Sequence, residues 1–325
     1  MRKENCIVCD SPNVEFVTSK AGYDIIKCST CGLTYSSPMR SQEDYSQEIT
    51  HDRWEFNIMV EWLLNRKNLR NLKVFELGCG DGRFLHKLKE LGCECYGIDV
   101  NPNGIVKAKE RGLRNVFNTI LTEDFSKRFE KSFDIIFGFH VIEHIDNLKD
   151  VIRNAKAMLK PEGVLFLSVP NPERLSARIF KESWDMPPYH LTKWTKKSLH
   201  LLLENNSFRV LNFIEEPLTI KSAYIYVVDI QIMIVNILSR LRKTNSSNYY
   251  SKGNNTDKTK TNKIGIIKKL LRILIITTSY VLGYTIYFSL AFFRTIKILP
   301  NNLNKGLSLV VVAKKGLKNH ALFEC

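Results

Sequence analysis

Short apolar segments alternate with amphipathic segments between residues 72 and 216 of this chain. A short apolar segment fits a strand that is buried on both faces, and an amphipathic segment fits a helix that covers the sheet. Repeated strand–helix–strand units of this kind build a parallel sheet with helices on its faces. The pattern therefore predicts an α/β fold, and a chain of 325 residues is long enough to add further parts around that core.

The periodicity also places the individual elements. We expect strands at 72–77, 94–99, 114–118, 133–138, 163–169 and 208–214, and helices near 54–64, 82–91, 103–112, 148–160 and 195–205. The apolar segment at 307–313 predicts one more buried strand of the same sheet.

Composition divides the chain into four parts. The predicted parts are a cysteine-bearing segment at 1–37, a helical connector at 38–70, a core at 71–217 plus 306–316, and an insertion at 218–305. The insertion holds two hydrophobic segments separated by a linker at 244–263, which is too rich in Ser, Asn, Lys and Thr to pack into a core.

A glycine-rich turn follows the first predicted strand of the core. Its residues of interest are Glu76, Gly78, Cys79, Gly80 and Gly82. Glycine suits such a turn because a ligand can then lie against backbone that a Cβ would block. The next predicted strand ends in Asp99, whose carboxylate could accept hydrogen bonds from both ribose hydroxyls. The Gly-x-Gly-x-Gly spacing differs from that of dinucleotide sites, and it favours a nucleoside ligand without phosphates.

The segment 76–82 resembles motif I of the class I S-adenosylmethionine-dependent methyltransferases, and Asp99 matches the acid that holds the ribose in that family. Segments 133–145 and 159–171 resemble the family's fourth strand with its following turn, and its helix, glycine turn and fifth strand. The resemblance spans about 72–215 and implies a doubly wound, Rossmann-like sheet that binds S-adenosyl-L-methionine. The cofactor residues that it implies are Glu76, Gly78, Cys79, Gly80, Gly82, Asp99 and His140.

Two cysteine pairs, Cys6-x2-Cys9 and Cys28-x2-Cys31, lie near the start of the chain. Four thiolates in this spacing can close a tetrahedral zinc site, and the metal would replace a core that so short a segment cannot build. The pattern predicts a zinc ribbon. It resembles the zinc-binding segment of methyltransferases that modify sugars and polysaccharides, which implies a structural or substrate-facing role. We expect Cys79, Cys93, Cys95 and Cys325 to be packing or surface thiols.

Methyl transfer needs alignment, and it needs a base if an accepting hydroxyl must lose its proton. The candidate catalytic residues are His190, His140, Glu143 and His144. His140 follows the fourth core strand and could equally be a structural or cofactor-pocket residue, and Glu143 and His144 could instead cap or brace a helix that they open. Loop position favours His190. The aromatic residues Trp184, Tyr189 and Trp194 could stack on a sugar or roof the pocket, and Thr195 is predicted to cap a helix.

The net charge is +15, and residues 240–272 hold ten Lys or Arg against one acid. This tract borders apolar segments, which favours an anionic membrane surface over nucleic acid. Residues 273–293 are uncharged and long enough to span a bilayer. Because the final strand must rejoin the sheet, we expect 222–238 and 273–293 to lie in the membrane interface of the cytoplasmic face or to form a shallow re-entrant hairpin. The alternative is a soluble lid or a dimer face. No signal sequence is predicted, which favours a cytoplasmic core.

These observations favour methyl transfer from S-adenosylmethionine to an oxygen of a saccharide or lipid-linked acceptor. The alternative within the fold is methylation of a quinone or other prenylated small molecule. Alternatives of other classes are a nicotinamide-dependent sugar oxidoreductase and a non-catalytic zinc-ribbon interaction protein. The sequence indicates no oligomeric state.

Overall fold

The computed structural model describes residues 5–40, 53–65, 69–174, 185, 187–217 and 305–316. The predicted hydrophobic segments at 222–238 and 273–293 and the basic linker at 244–263 lie outside these residues, as do Trp184 and Cys325. In the part of the chain that the structure describes, no helix is long and apolar enough to cross a membrane.

The N-terminal cysteine segment forms a small antiparallel sheet. Its strands are β1 (Val14–Lys20), β2 (Tyr23–Cys28) and β3 (Thr34–Ser37). One cysteine pair, Cys6 and Cys9, precedes β1, and the other lies at the end of β2 and in the turn before β3. We call residues 5–40 the ribbon. Its described residues belong to one compact unit together with the described core residues up to 172, from 185 to 216 and from 308 to 316.

The core alternates helices and strands in the predicted order. Its helices are α1 (Trp54–Leu64), α2 (Arg83–Glu90), α3 (Pro102–Glu110), α4 (Glu123–Arg128), α5 (Leu148–Met158) and α6 (Lys196–Asn205). Its strands are β4 (Lys73–Leu77), β5 (Glu94–Asp99), β6 (Asn115–Asn118), β7 (Phe133–Phe139), β8 (Leu159–Pro170), β10 (Phe208–Pro217) and β11 (Lys305–Lys315), with β9 (Thr192–Lys193) between β8 and β10.

Seven strands form one sheet in the order β10-β11-β8-β7-β4-β5-β6. Strand β4 pairs in parallel with β5 and with β7, and the parallel pairing continues to β6 and β8. Strand β11 runs antiparallel to β8. The chain thus winds outward from β4 in both directions, which confirms the predicted doubly wound α/β sheet. The switch of direction lies between β4 and β7, where ligands of such sheets bind.

The structure corrects several element predictions. Residues 159–160 belong to β8 and not to the end of a helix, β8 begins before the predicted residue 163, and α4 and β9 were not expected. Helix α4 is a six-residue element that Thr122 caps through a hydrogen bond from the backbone N–H of Phe125. Neither α4 nor β9 is long enough to show a hydrophobic period, so the pattern could not reveal them. The predicted N-cap of α6 is confirmed, because the side chain of Thr195 accepts a hydrogen bond from the N–H of Ser198.

Candidate active site

The glycine loop lies at the carboxyl end of β4, beside the switch point. Gly80 and Gly82 both have left-handed backbone conformations, with φ of 52° and 73°. A Cβ on Gly82 would lie 2.4 Å from Cδ1 of Leu113, whereas a Cβ on Gly80 would meet nothing within 4 Å. Gly82 is therefore required by packing, while the open space in front of Gly80 is suited to a ligand that approaches the backbone.

Asp99 ends β5 and ties the neighbouring loop to it. One carboxylate oxygen accepts a hydrogen bond from the N–H of Gly80 at 2.7 Å, and the other accepts from the N–H of Asn101 at 2.8 Å. Each oxygen of a carboxylate can accept a second hydrogen bond. The group can therefore hold the loop and still bind the two hydroxyls of a ribose.

Glu76 is buried in the last part of β4, with 4% of its surface exposed. Burial raises the pKa of Glu76 well above its usual range, and the nearby Asp99 raises it further, while Arg53 acts in the opposite direction. Its Oε2 has no hydrogen-bond partner among the described residues. Burying a carboxyl group without a hydrogen-bond partner lowers the stability of the fold, unless a bound ligand supplies that partner. A cationic ligand such as S-adenosylmethionine, with its ammonium and sulfonium groups, fits this position.

Gly78 and Cys79 contribute to the loop in different ways. A Cβ on Gly78 would lie 2.6 Å from Cγ2 of Val141, so this glycine allows the turn after β7 to approach the loop. The thiol of Cys79 is buried against Gly97, and burial raises its pKa far above the usual range. Cys79 was predicted both to pack in the core and to bind the cofactor. Its buried side chain fits the packing role, which leaves its backbone for the cofactor role.

His140 follows β7 and lies between two carboxylates. Its Nε2 is 2.6 Å from Oε1 of Glu55 and 3.1 Å from Oγ of Ser308, and its Nδ1 is 3.3 Å from Oε1 of Glu143. Although burial alone would lower the pKa of His140, its contacts with Glu143 and Glu55 raise it to about 9. Burial would raise the pKa of Glu55, but the bond to His140 lowers it to about 2. His140 is therefore an imidazolium at neutral pH, which favours the structural alternative over proton abstraction.

Sequence reasoning missed the contribution of α1 to the site. Glu55 is 3% exposed, and Arg53, just before the helix, donates a hydrogen bond to the carbonyl of Phe139 at 3.4 Å. The available signal was a pair of charged residues, Arg53 and Glu55, at the start of a mostly apolar helix. Their partners lie about eighty-five residues further along the chain, so no local pattern identifies them.

Glu143 and His144 lie in a turn before α5, which begins at Leu148, and the expectation that they open a helix is wrong. His144 Nδ1 lies 2.7 Å from the carbonyl oxygen of Tyr189, which fixes its ring. Its ring also meets that of His190 edge to face, with centroids 4.7 Å apart. The structure thus brings all four candidate catalytic residues together: His140 contacts Glu143, and one ligating atom from each of Glu143, His144 and His190 lies within 4.8 Å of the others.

His190 is held by an acid on its own loop. Its Nδ1 lies 2.8 Å from Oδ1 of Asp185, whose other oxygen pairs with Lys193 at 3.0 Å. The side chain of His190 is 10% exposed. An acid on Nδ1 keeps the hydrogen of a neutral imidazole there, so Nε2 is the basic nitrogen. This arrangement is the one that a general base requires.

The neighbouring aromatic residues differ in exposure. Tyr189 is half exposed, so it can meet an acceptor. Trp194 is 1% exposed and belongs to the apolar cluster that contains Cys28, Cys31 and Leu33. Trp194 therefore packs beneath the site and does not stack on a ligand.

The four ribbon cysteines converge on one point. The sulfur atoms of Cys6 and Cys31 lie 3.6 Å apart, as do those of Cys9 and Cys28, and all four are within 4.8 Å of one another. Zinc–sulfur bonds of about 2.3 Å in a tetrahedron place sulfur atoms about 3.8 Å apart. The donor set therefore fits a zinc ion. Cys93 and Cys95 are buried in the core and lie outside this cluster, as predicted.

Comparison with known proteins agrees with this geometry. Residues 51–212 match a family model described as a methyltransferase domain. A ubiquinone biosynthesis O-methyltransferase of Pseudomonas syringae pv. tomato is 30% identical over 118 residues, which cover 35% of this chain and 51% of that protein. The corresponding protein of Glaesserella parasuis is 34% identical over 107 residues, 30% of this chain and 45% of its own. The chain thus spans about half the length of the curated relatives that it matches.

Solved structures of methyltransferases are also similar to this chain. A SAM-dependent methyltransferase from Archaeoglobus fulgidus gives a TM-score of 0.46 at 20% identity, covering 80% of this chain and 96% of that one. An S-adenosylmethionine-dependent methyltransferase from Mesorhizobium loti gives 0.42 at 14% identity, covering 80% and 99%. The fold assignment rests on the strand order described above and not on these scores. On the family match, residues 51–212 belong to the class I S-adenosylmethionine-dependent methyltransferases.

Proposed function

We propose that this chain transfers a methyl group from S-adenosylmethionine to an oxygen of a small-molecule acceptor of the quinone-precursor type. The observation that carries the proposal is the set of Glu76, Gly80 and Asp99 at the switch point: Oε2 of buried Glu76 has no hydrogen-bond partner among the described residues, the space in front of Gly80 is open, and Asp99 is bonded to the N–H of Gly80. The curated relatives are named for ubiquinone biosynthesis. They support the quinone alternative better than the saccharide acceptor that the sequence favours, and the methyltransferase family match argues against a nicotinamide-dependent oxidoreductase.

In this proposal the cofactor supplies a methyl group on a sulfonium. The loop and Asp99 would fix the nucleoside, and Glu76 would compensate the positive charge beside it. An in-line displacement then depends on the alignment of the accepting oxygen with that methyl group. The protein also has to keep water out, and the buried position of Glu76 indicates that the inner wall of the site is dry.

His190 is the proposed base. Asp185 holds its Nδ1, so the proton of an acceptor hydroxyl would move to Nε2 as the methyl group is transferred. A phenolic hydroxyl has a pKa of about 10, so a nearby histidine can assist its ionisation at neutral pH. His140 is unsuited to this task because it already carries a proton, and we assign it the role of neutralising Glu55 and Glu143.

Two further features extend the proposal. We propose a structural zinc ion on Cys6, Cys9, Cys28 and Cys31, supported by the distances between their sulfur atoms. We also propose that 222–238 and 273–293 hold the enzyme on the cytoplasmic face of an anionic membrane, supported by their apolar sequence and the cations between them. A prenylated acceptor would be found at such a surface.

Binding of S-adenosylmethionine should release a proton from Glu76. Burial holds the pKa of its carboxyl group well above the usual range, and a cation beside it would lower that pKa and favour the ionised form. Calorimetry in buffers of different ionisation enthalpy measures this release. Glu76→Gln should abolish the proton release. Glu94→Gln, which removes an exposed acid at the start of β5, should leave the release unchanged. Equal proton release by Glu76→Gln and the wild type would refute the placement of Glu76 beside the cation.

Release of S-adenosylhomocysteine should be fastest with phenols that carry a prenyl side chain, measured against free and lipid-linked saccharides. His190→Gln should lower turnover of the best acceptor by roughly hundredfold or more while the affinity for S-adenosylhomocysteine stays the same, because a general base acts only on the acceptor. The matched control is His200→Gln, which changes an exposed histidine on α6. A preference for saccharides would contradict the proposed quinone-precursor acceptor and favour a saccharide acceptor. Full turnover by His190→Gln would exclude His190 as the base.

The charge on His140 should make stability fall in mildly alkaline solution. Its folded-state pKa of about 9 exceeds the usual 6.5, so its contribution is complete below 6.5 and is lost as the pH rises through 9. The contribution of Glu55 is present above its usual pKa of 4.5 and is lost only as the pH falls through 2. His140→Asn removes the charge while tolerating the left-handed conformation, φ 55°, of this position. The difference in Tm between the wild type and His140→Asn should narrow from about pH 7.5 to about pH 9.5; a constant difference would contradict the imidazolium assignment.

A further inference from the structure

The ribbon sheet is completed by a strand that belongs to the core. Strand β9 pairs antiparallel with β3, with Lys193 opposite Thr34 and Thr192 opposite Tyr35. The backbone N–H of Ser36 also donates to the carbonyl of Leu191 at 2.9 Å. The paired segment begins immediately after His190. The edge of the ribbon is therefore attached to the chain beside the proposed base.

The same segment is hydrogen-bonded to the turn before α5 that carries Glu143 and His144. The N–H groups of Leu191 and Thr192 both donate to the carbonyl of Glu143, at 2.8 and 3.3 Å. Residues 191–192 thus lie between β3 of the ribbon and the turn that carries Glu143 and His144. If the ribbon side of this contact were lost, the position of His190 would depend on the carbonyl of Glu143, on the contacts of His144 with Tyr189 and His190, and on its own loop.

Buried side chains reinforce the attachment. Leu191 is 1% exposed and packs with Tyr23 and Ile25 of β2 in a cluster of their own. Trp194 is buried in the cluster that contains the ribbon cysteines. The hydroxyl of Thr195 donates to the carbonyl of Cys31 at 2.8 Å. The whole segment from Leu191 to Thr195 therefore contacts the ribbon, through its backbone or its side chains.

A strand of two residues has no stability of its own, and β3 is its only strand partner among the described residues. The ribbon in turn is too small for a large core, so a metal on its cysteines would supply much of its order. We propose that the ribbon is a positioning element for the acceptor side of the site, which holds β9 and through it His190. The significance of this role for turnover rests on the proposed function of His190.

Two variants on the ribbon test this proposal in the full chain. Cys28→Ser removes one sulfur of the cluster, and Ile25→Ala keeps all four cysteines but removes most of the side chain that packs on Leu191. A variant is preferable to a chelator, because a chelator would also remove any cation held by Glu143, His144 and His190. Cys93→Ser, which changes a buried thiol outside the cluster, is the control.

The main measurement is hydrogen exchange at C2 of each histidine ring, followed by mass spectrometry, because it reports the access of each ring to water without an acceptor. The side chain of His190 is 10% exposed, and His86 and His200, at 39% and 44%, serve as internal standards. Zinc content and the affinity for S-adenosylhomocysteine are measured on the same samples. These show whether the metal is lost and whether the cofactor side of the core remains folded.

Cys28→Ser should lose zinc and accelerate exchange at His190 by about tenfold or more, with affinity for S-adenosylhomocysteine within about twofold of the wild type. Ile25→Ala should keep zinc and still accelerate exchange at His190, which decides the matter if Cys28→Ser fails to fold. Unchanged exchange at His190 in a folded variant would overturn the proposal. Faster exchange with full turnover would support the proposal that the ribbon holds His190 in place, but it would refute His190 as the base. Failure of the positioning proposal and failure of the proposed base are therefore distinguishable.

Discussion

The parallel pairing of β4 with β5 on one side and β7 on the other is the constraint on which the site depends. In sheets of this type the segments that leave such strands cross to different faces of the sheet, and ligands bind in the crevice between them. The glycine loop, Asp99 and His140 all follow the carboxyl ends of these three strands. Residues far apart in the sequence therefore meet at one edge of the sheet, whatever the chain does elsewhere.

This edge concentrates buried acids, and the structure neutralises only some of them. His140 lies between Glu55 and Glu143 and keeps the pKa of both acids low. Glu76 forms no ion pair among the described residues, and burial raises its pKa. Because an uncompensated buried acid lowers stability, the contrast distinguishes acids that complete the fold from the acid that is suited to a cationic ligand.

The sequence contained the core of the fold and much of the site, because both are recorded in local patterns. Strand and helix periodicity predicted the doubly wound sheet, and the spacing of Gly80, Gly82 and Asp99 predicted the ligand loop. The roles of Glu55 and β9 could not be predicted. Glu55 acts on a residue eighty-five positions away, and β9 is too short to show a period. The turn at Glu143 was mistaken for the start of a helix. The few residues before α5 carry no sequence signal that distinguishes a turn from the first turn of a helix.

We propose above all that S-adenosylmethionine lies against the backbone of Gly80. Gly22, in the β1–β2 turn of the ribbon, provides a matched control, because it also has a positive φ and a Cβ on it would likewise meet nothing within 4 Å. Alanine at either position should cause similar backbone strain, but only Gly80→Ala would place a methyl group in the proposed cofactor site. The most direct measurement is the calorimetric affinity for S-adenosylhomocysteine of the wild type, Gly80→Ala and Gly22→Ala. The account predicts that Gly80→Ala loses binding while Gly22→Ala keeps it; wild-type affinity in a folded Gly80→Ala protein would contradict it.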